Sequence, residues 1–199
     1  SYPDIVSLCG GKSIILDTEE ETKFKISPQK LKELINERTK WIILNSPSNP
    51  TGAVYSKEEL KEISKILINF EQTWILTDDI YEHLIYDNIS FSNILNVEPK
   101  LYDRVFIVNG VSKAFSMTGW RIGYGAGSAK ITSSIAKIQS QSTTNPTSIS
   151  QMAAISALDS DKTFLEIWIK EFSSRRDFVV NFFNNINGFS CIKPEGAFY

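Results

Sequence analysis

Short apolar runs recur along the chain, separated by segments in which apolar residues return every three or four positions. The runs Trp41–Leu44, Trp74–Leu76 and Val105–Val108 predict strands, and the first of them is expected to be buried on both faces. Weaker runs predict three further strands: Ile5–Leu8, Ser13–Leu16 and Ile122–Ala126.

Helices are predicted between and after these runs from start signals and from apolar spacing. Ser27 and Pro28 place serine at an N-cap and proline at the first helical position, and Ser56 with Glu59 forms a capping box. Helical spacing fills most of the C-terminal third, over Ala129–Gln141, Ser148–Leu158 and Asp161–Ile186. Gly188 is expected to end the last helix.

This alternation of strands and helices predicts an α/β fold with a mostly parallel sheet. Parallel crossovers are right-handed, and ligands of such sheets bind beyond the carboxyl ends of the strands. The residues that follow each strand are therefore where function is expected.

Composition excludes several classes of protein. With 42% hydrophobic and 22% charged residues and a net charge of −2, the chain has no electrostatic footprint for nucleic acid or for an anionic membrane. It contains no apolar run of transmembrane length and no signal peptide, and its two cysteines lack metal-site spacing. We expect a cytoplasmic protein without a metal. The chain starts at Ser1 without a methionine and stops at Tyr199 just after a Pro-Glu-Gly turn signal, so we also expect a fragment of a longer polypeptide.

Polar side chains of distinct chemistry follow three of the predicted strands. Asn49 lies in a proline-rich turn after the first run, and Asp78 and Tyr81 follow the second. Lys113 and Arg121 lie in the loop after the third, eight residues apart. Taken singly, these residues fit a turn, a helix cap, a core tyrosine, a surface lysine and an ion pair.

Taken together, the five side chains describe a receptor for pyridoxal 5′-phosphate (PLP). A lysine in a desolvated pocket can form a Schiff base with a carbonyl, and a buried carboxylate suits a pyridinium nitrogen. A tyrosine and an amide can hydrogen-bond a phenolic oxygen, and an arginine can hold a phosphate through two parallel N–H bonds.

At these positions the sequence resembles a known family, the class I/II aminotransferases of PLP fold type I. Three segments carry the resemblance: Asn45-Ser-Pro-Ser-Asn-Pro-Thr-Gly52, Asp78-Asp-Ile-Tyr81 and Ser112-Lys-Ala-Phe-Ser-Met-Thr-Gly-Trp-Arg-Ile-Gly-Tyr124. The likeness is greatest to the bacterial aspartate aminotransferase branch, some members of which accept prephenate, and it extends over essentially the whole chain.

The resemblance implies a role for each of the five residues. Lys113 would carry the cofactor as a Schiff base and move the proton during catalysis. Asp78 would keep the pyridine nitrogen protonated, while Tyr81 and Asn49 would bind the phenolic oxygen. Asn49 would also lie near the substrate α-carboxylate, and Arg121 would bind the phosphate.

The resemblance also implies an architecture. Residues 1–187 would form the PLP-binding large domain, a three-layer α/β/α structure around a mostly parallel sheet. Residues 188–199 would begin the small C-terminal domain.

The implied reaction belongs to amino-acid metabolism: L-aspartate and 2-oxoglutarate would give oxaloacetate and L-glutamate in a homodimer of the full-length enzyme. Two alternatives stay open: another class I aminotransferase of the aromatic, prephenate or kynurenine type, and a non-catalytic PLP-fold sensor domain of a regulator. The family's upstream phosphate-binding loop, ring-stacking aromatic residue and C-terminal arginine do not occur in these 199 residues. The chain alone is therefore expected to be inactive.

Two positions depart from the family pattern. Asp79 stands where glutamate is common, at a position not expected to touch the cofactor. Gly110 stands where many relatives have a phosphate-binding serine.

Overall fold

A four-stranded mixed sheet organises the chain, whose computed structural model describes residues 2–199. Its strands are β1 (Trp41–Asn45), β2 (Trp74–Asp78), β3 (Val105–Gly110) and β4 (Gly123–Gly127), side by side in that order. The first three strands run parallel, and β4 runs antiparallel to β3. The predicted α/β class is confirmed.

Seven α-helices accompany the sheet within residues 2–199, and three of them form the C-terminal third. They are α1 (Tyr2–Leu8), α2 (Pro28–Leu34), α3 (Lys57–Leu67), α4 (Ile94–Val97), α5 (Ala129–Ser142), α6 (Ser148–Asp159) and α7 (Thr163–Asn184). Short 3₁₀ turns occur at Glu20–Thr22, Pro99–Arg104 and Thr118–Trp120. None of the described helices has both the length and the apolar character needed to cross a membrane.

The predicted helix starts are confirmed at α2 and α3. The Ser27 side chain accepts a hydrogen bond from the Lys30 N–H. At α3, the Glu59 N–H donates to Ser56 Oγ (3.2 Å) and the Ser56 N–H donates to a Glu59 carboxylate oxygen (2.7 Å). These side chains satisfy N–H groups that a helix start leaves without a partner, which is why the local sequence fixes both starts.

The largest buried cluster lies between the sheet and helices α2, α3 and α4. Its members are Leu31, Ile35, Ile42, Leu44, Tyr55, Leu60, Ile63, Leu67, Ile75, Ile94, Leu101 and Val105. Burial of these side chains is the main stabilising contribution to this half of the chain. It packs β1, β2 and β3 against these helices.

The C-terminal helices present a different surface, because many of their large apolar side chains are exposed. They include Ile138, Ile149, Met152, Ile155, Ile167, Phe178 and Phe182. Contiguous exposed apolar surface is typical of a face that packs against other protein.

Three sequence predictions are wrong. Residues 5–8 belong to helix α1, because a short apolar run fits a helix as well as a strand. Residues 13–16 form no regular structure, and Ile14 and Ile15 are exposed. Strand β1 is not buried on both faces, since Trp41 remains 40% exposed at its start.

Candidate active site

The carboxyl ends of β1 and β2 bring the first two sequence motifs together. Asn45 and Asp78 are paired residues of the parallel ladder, so the turns that follow them leave the same edge of the sheet. The Asn45 side chain donates to the Asp78 carbonyl oxygen (3.0 Å) and accepts from the Asn49 N–H (2.7 Å). This amide therefore fixes the turn that carries Asn49 against the end of β2.

Asn49 and Tyr81 are joined by the hydroxyl group of Tyr199. The Asn49 side-chain amide donates to the Tyr199 hydroxyl (3.1 Å), which lies 2.7 Å from the Tyr81 hydroxyl. Burial and the contact with Tyr199 raise the pKa of Tyr81. Tyr81 is therefore a neutral phenol that keeps a proton to donate.

Asp78 is contacted by the hydroxyl of Tyr2, from the first helix of the chain. The Tyr2 O–H donates to the carboxylate of Asp78 (2.6 Å), and the Ile80 N–H donates to its other oxygen (3.3 Å). Burial and this hydrogen bond raise the pKa of the Tyr2 phenol, so Tyr2 acts as a donor. Asp78 thus has a fixed orientation at the end of β2.

Lys113 lies beside the aromatic rings of the same region. Its Nζ is 5.6 Å from the centre of the Tyr81 ring and 5.5 Å from the centre of the Phe198 ring. At these distances an ammonium group is attracted by both rings. The amine is half-buried and faces the Tyr81 side of the site.

Arg121 lies in the connection between β3 and β4 and is exposed. Its guanidinium donates to the carbonyl oxygen of Thr118 in the same loop (2.9 Å). Its backbone is left-handed, with φ of 54°, a conformation that costs a non-glycine residue about 1–2 kcal/mol. The structure thus brings Asn49, Tyr81 and Lys113 into one cluster and leaves Arg121 on the adjoining loop.

Asp79 points away from this cluster into a buried polar group. Its carboxylate accepts hydrogen bonds from Thr77 Oγ1 (2.5 Å) and from the Asn93 side-chain amide. Burial raises the pKa of Asp79 to about 6, although both hydrogen bonds act in the opposite direction. Neighbouring aspartates thus differ sharply: Asp78 faces the site and Asp79 faces the interior.

Gly110 is buried where β3 faces β4. A Cβ at this position would lie 2.9 Å from the Ile122 carbonyl oxygen and 3.2 Å from Gly123 Cα. Because both neighbours are backbone atoms, a serine requires the β3–β4 pair to shift. Glycine at this position therefore suits the close approach of β3 and β4.

Sequence reasoning missed Tyr2 and Tyr199 as members of the site. Both reach it across long separations, 76 residues from Tyr2 to Asp78 and 150 from Asn49 to Tyr199. The Pro-Glu-Gly turn before Ala197 was the one local signal that the chain bends near Tyr199. Nothing in the sequence around Tyr2 indicates its partner.

Within residues 2–199, no group of three or more histidine, cysteine, aspartate or glutamate side chains is placed to hold an ion. The side chains gathered in this region carry an amine, a carboxylate, phenols and amides.

The fold defines an α/β protein, and its candidate site lies at the carboxyl ends of parallel strands, where ligands of such sheets bind. The family model for aminotransferase class I and II matches residues 1–199, so the chain belongs to that family.

The chain is also similar to individual aminotransferases. The chain is 49% identical over its whole length to an aspartate/prephenate aminotransferase of Cereibacter sphaeroides, covering 50% of that protein. It matches the crystal structure of an aspartate aminotransferase from Rhizobium meliloti with a TM-score of 0.97 and 44% identity, over 98% of this chain and 49% of that one. An aromatic aminotransferase from Pyrococcus horikoshii matches with a TM-score of 0.93 and 36% identity, over 98% of this chain and 52% of that one. The chain thus spans about half the length of these relatives.

Proposed function

We propose that this chain carries the cofactor-binding part of a PLP-dependent aminotransferase that converts L-aspartate and 2-oxoglutarate to oxaloacetate and L-glutamate. The observation that carries the proposal is the cluster of Asn49, Tyr81 and Lys113 beside Asp78, at the edge where β1 and β2 end. Membership of the aminotransferase family supports it independently.

The donor set fits PLP. Asn49 uses one of its two side-chain N–H groups on Tyr199, so the second is available to an acceptor. When Tyr199 donates to Tyr81, the Tyr81 O–H is likewise free to donate. The pair therefore suits a phenolic oxygen, Asp78 suits a pyridinium N–H, and Arg121 suits a phosphate.

In this proposal the side chains divide the tasks of binding, orientation and proton transfer among them. Bound PLP supplies an electron sink for the charge that develops at the amino acid α-carbon. Asp78 holds the proton on the pyridine nitrogen. Lys113 would hold the cofactor covalently through Nζ, and once the substrate amino group has displaced it, the freed amine would take the proton from the α-carbon. Arg121 binds the phosphate, and Phe198 shields Lys113 from water.

The preference for aspartate is supported by the names of the relatives from Cereibacter sphaeroides and Rhizobium meliloti. A second amino acceptor, prephenate, is favoured by the name of the Cereibacter protein.

Substrate class is tested by steady-state kinetics of the full-length enzyme. Aspartate and tyrosine are compared as donors to 2-oxoglutarate, and prephenate is compared as an acceptor. We expect the highest donor kcat/KM with aspartate, and measurable transfer to prephenate. A higher kcat/KM with tyrosine than with aspartate would replace the aspartate assignment by an aromatic one. Absence of any transfer by the folded, PLP-loaded enzyme would refute the proposal.

The proposed full-length enzyme is a cytoplasmic homodimer, with a large domain over residues 1–187 and a small domain that begins at residue 188. The exposed apolar side chains of α6 support a surface that a second copy covers, among them Met152 at 63% exposure. Sedimentation of the full-length protein tests this surface. We expect Met152→Glu to shift dimer towards monomer, whereas Lys130→Glu, on exposed helix α5, leaves the dimer intact.

A further inference from the structure

Arg176 is a buried arginine in the middle of helix α7, and its side chain is only 5% exposed. Its two terminal nitrogens donate to the two carboxylate oxygens of Asp87, each at 2.9 Å. This bidentate arrangement fixes both groups in direction as well as distance. Hydrogen bonding from Arg176 also holds the pKa of Asp87 below its ordinary value.

The same guanidinium contacts two further residues, Tyr86 and Pro194. It donates to the carbonyl oxygen of Pro194 (3.0 Å) and lies 4.7 Å from the centre of the Tyr86 ring. One side chain thus joins helix α7, the turn at Tyr86–Asp87 and the segment that begins at Pro194. Asp87 is itself half-exposed and also lies 3.7 Å from Lys193 Nζ, so loss of Arg176 would remove the fixed bidentate geometry and the bond to Pro194 while leaving Asp87 a counter-charge.

After Pro194, the backbone of residues 195–197 is hydrogen-bonded to Gly52, Leu84 and Tyr86. The Tyr86 N–H donates to the Glu195 carbonyl (3.0 Å), the Ala197 N–H donates to the Leu84 carbonyl (2.8 Å), and the Tyr86 hydroxyl donates to the Ala197 carbonyl. The N–H groups of Glu195 and Gly196 both donate to the Gly52 carbonyl (3.0 and 2.8 Å). Residues 194–197 therefore form a strap across the turn that follows β1.

The strap ends at the candidate active site. Phe198 lies edge-on to Tyr81, with 5.5 Å between the ring centres, and its ring faces Lys113 Nζ at 5.5 Å. Tyr199 follows directly and links the side chains of Asn49 and Tyr81. The direction in which these two rings enter the site is set by the strap that precedes them.

We propose that Arg176 is a positioning residue for the active site: it holds residues 194–197 so that Phe198 covers Lys113 and Tyr199 orients Asn49 and Tyr81. This inference rests on the proposed function, since that function assigns the three contacted side chains. Arg176 has no contact with Lys113 and acts only through the strap.

The first test measures the strap itself, without cofactor or activity. Hydrogen–deuterium exchange is followed in the full-length apoenzyme for wild type, Arg176→Gln and Arg175→Gln. Arg175 is the matched control, because it lies next in sequence, is exposed and pairs only with Glu171 on its own helix (2.8 Å). We expect at least tenfold faster exchange at the amides of residues 195–197 in Arg176→Gln, with the strands unchanged, and no change in Arg175→Gln.

The second test asks whether the strap matters to the site. In the PLP-loaded full-length enzyme, we expect Arg176→Gln to lower kcat/KM about tenfold, as loss of one hydrogen-bonded positioning contact does. Arg176→Lys should recover part of this loss, because it keeps the charge without the bidentate geometry. Tyr199→Phe should cost several-fold in wild type and almost nothing in Arg176→Gln, because the hydroxyl is already misplaced there.

The outcomes separate this inference from the proposed function. An inactive wild-type enzyme refutes the proposed function, while the exchange measurement still decides whether Arg176 holds the strap. An active wild type with unchanged exchange at residues 195–197, or with strictly additive effects of Arg176→Gln and Tyr199→Phe, overturns the inference. If Arg176→Gln does not fold, Arg176→Lys and Asp87→Asn take its place under the same criteria.

Discussion

The two sides of the candidate active site are built in different ways. On the side of β1 and β2, Asn49 and Tyr81 are joined through Tyr199, and Asp78 is joined to Tyr2. On the side of the loop after β3, Arg121 contacts its own loop and Lys113 is held by ring faces. One side is a fixed hydrogen-bond network, and the other presents two cations.

This difference has a physical consequence for catalysis. Groups that only bind and orient a ligand work best when their own geometry is fixed in advance. An amine that must form a bond and then move a proton needs freedom to change position. We therefore infer that the network supplies preorganisation and that Lys113 supplies the moving part.

Replacement of Lys113 has the largest expected effect. In the full-length enzyme, Lys113→Ala should lower kcat by about 10³- to 10⁴-fold, because no other described amine is placed to transfer the proton. Single-turnover absorbance spectroscopy with aspartate measures the step directly. Lys130→Ala is the control, and equal losses in both variants would contradict the assignment.

Asp78→Asn is expected to rank second. It keeps the shape of the side chain but removes the negative charge that would hold the proton on the cofactor nitrogen. We expect kcat to fall by about 10²- to 10³-fold, the range typical of a lost electrostatic contact in an active site. Cofactor content per subunit, measured alongside kcat, separates lost chemistry from lost binding. A variant with normal cofactor content and normal kcat would rule out this role.

Asp79→Asn should change how the free energy of unfolding depends on pH. A carboxyl pKa raised from 3.8 to about 6 means that the folded state keeps a proton that the unfolded state has released. Stability contributed by this group is therefore complete below about pH 3.8 and is lost as pH rises towards 6, by about 3 kcal/mol in all.

Asp79→Asn does not lose this stability as the pH rises, because an amide has no proton to release in this range. Raising the pH from 4 to 7 should therefore shift the difference in urea midpoints in favour of Asp79→Asn. Parallel pH profiles of the two proteins would show that the buried carboxyl does not titrate in this range.

Tyr2→Phe has the smallest expected effect and probes the network alone. It removes one O–H donor to a charged carboxylate, a contact worth about 1.5–3 kcal/mol at most. Because Asp78 keeps its charge and its bond from Ile80, we expect a loss of about tenfold in kcat/KM. Tyr102→Phe, at a tyrosine that is 66% exposed, should have no effect. If the two variants behave alike, the Tyr2 contact plays no part in the site.

Structure that depends on local contacts can be predicted from the sequence, whereas structure that depends on tertiary packing cannot. Ser27 and Ser56 cap helices through contacts three residues away, so local sequence suffices to place them. Asp78 and Lys113 follow strands that apolar runs mark clearly. The antiparallel direction of β4 and the helix at Tyr2–Leu8 depend on tertiary packing, which short apolar runs do not encode.

The contacts of Tyr2, Tyr199 and Arg176 exist only after folding. The contacts Tyr2–Asp78, Asn49–Tyr199 and Arg176–Asp87 join residues that are 76, 150 and 89 positions apart. No spacing pattern in one sequence marks such pairs. The sequence therefore indicates which groups do the chemistry but not which groups hold them in place.

The most direct test of the account is borohydride reduction of the full-length protein with PLP, followed by peptide mass mapping. Our account predicts one covalent pyridoxyl label per subunit, located on Lys113 and absent from Lys113→Ala. A label on another lysine, or no label in a folded protein exposed to PLP, would contradict the assignment of these strand ends as a PLP site.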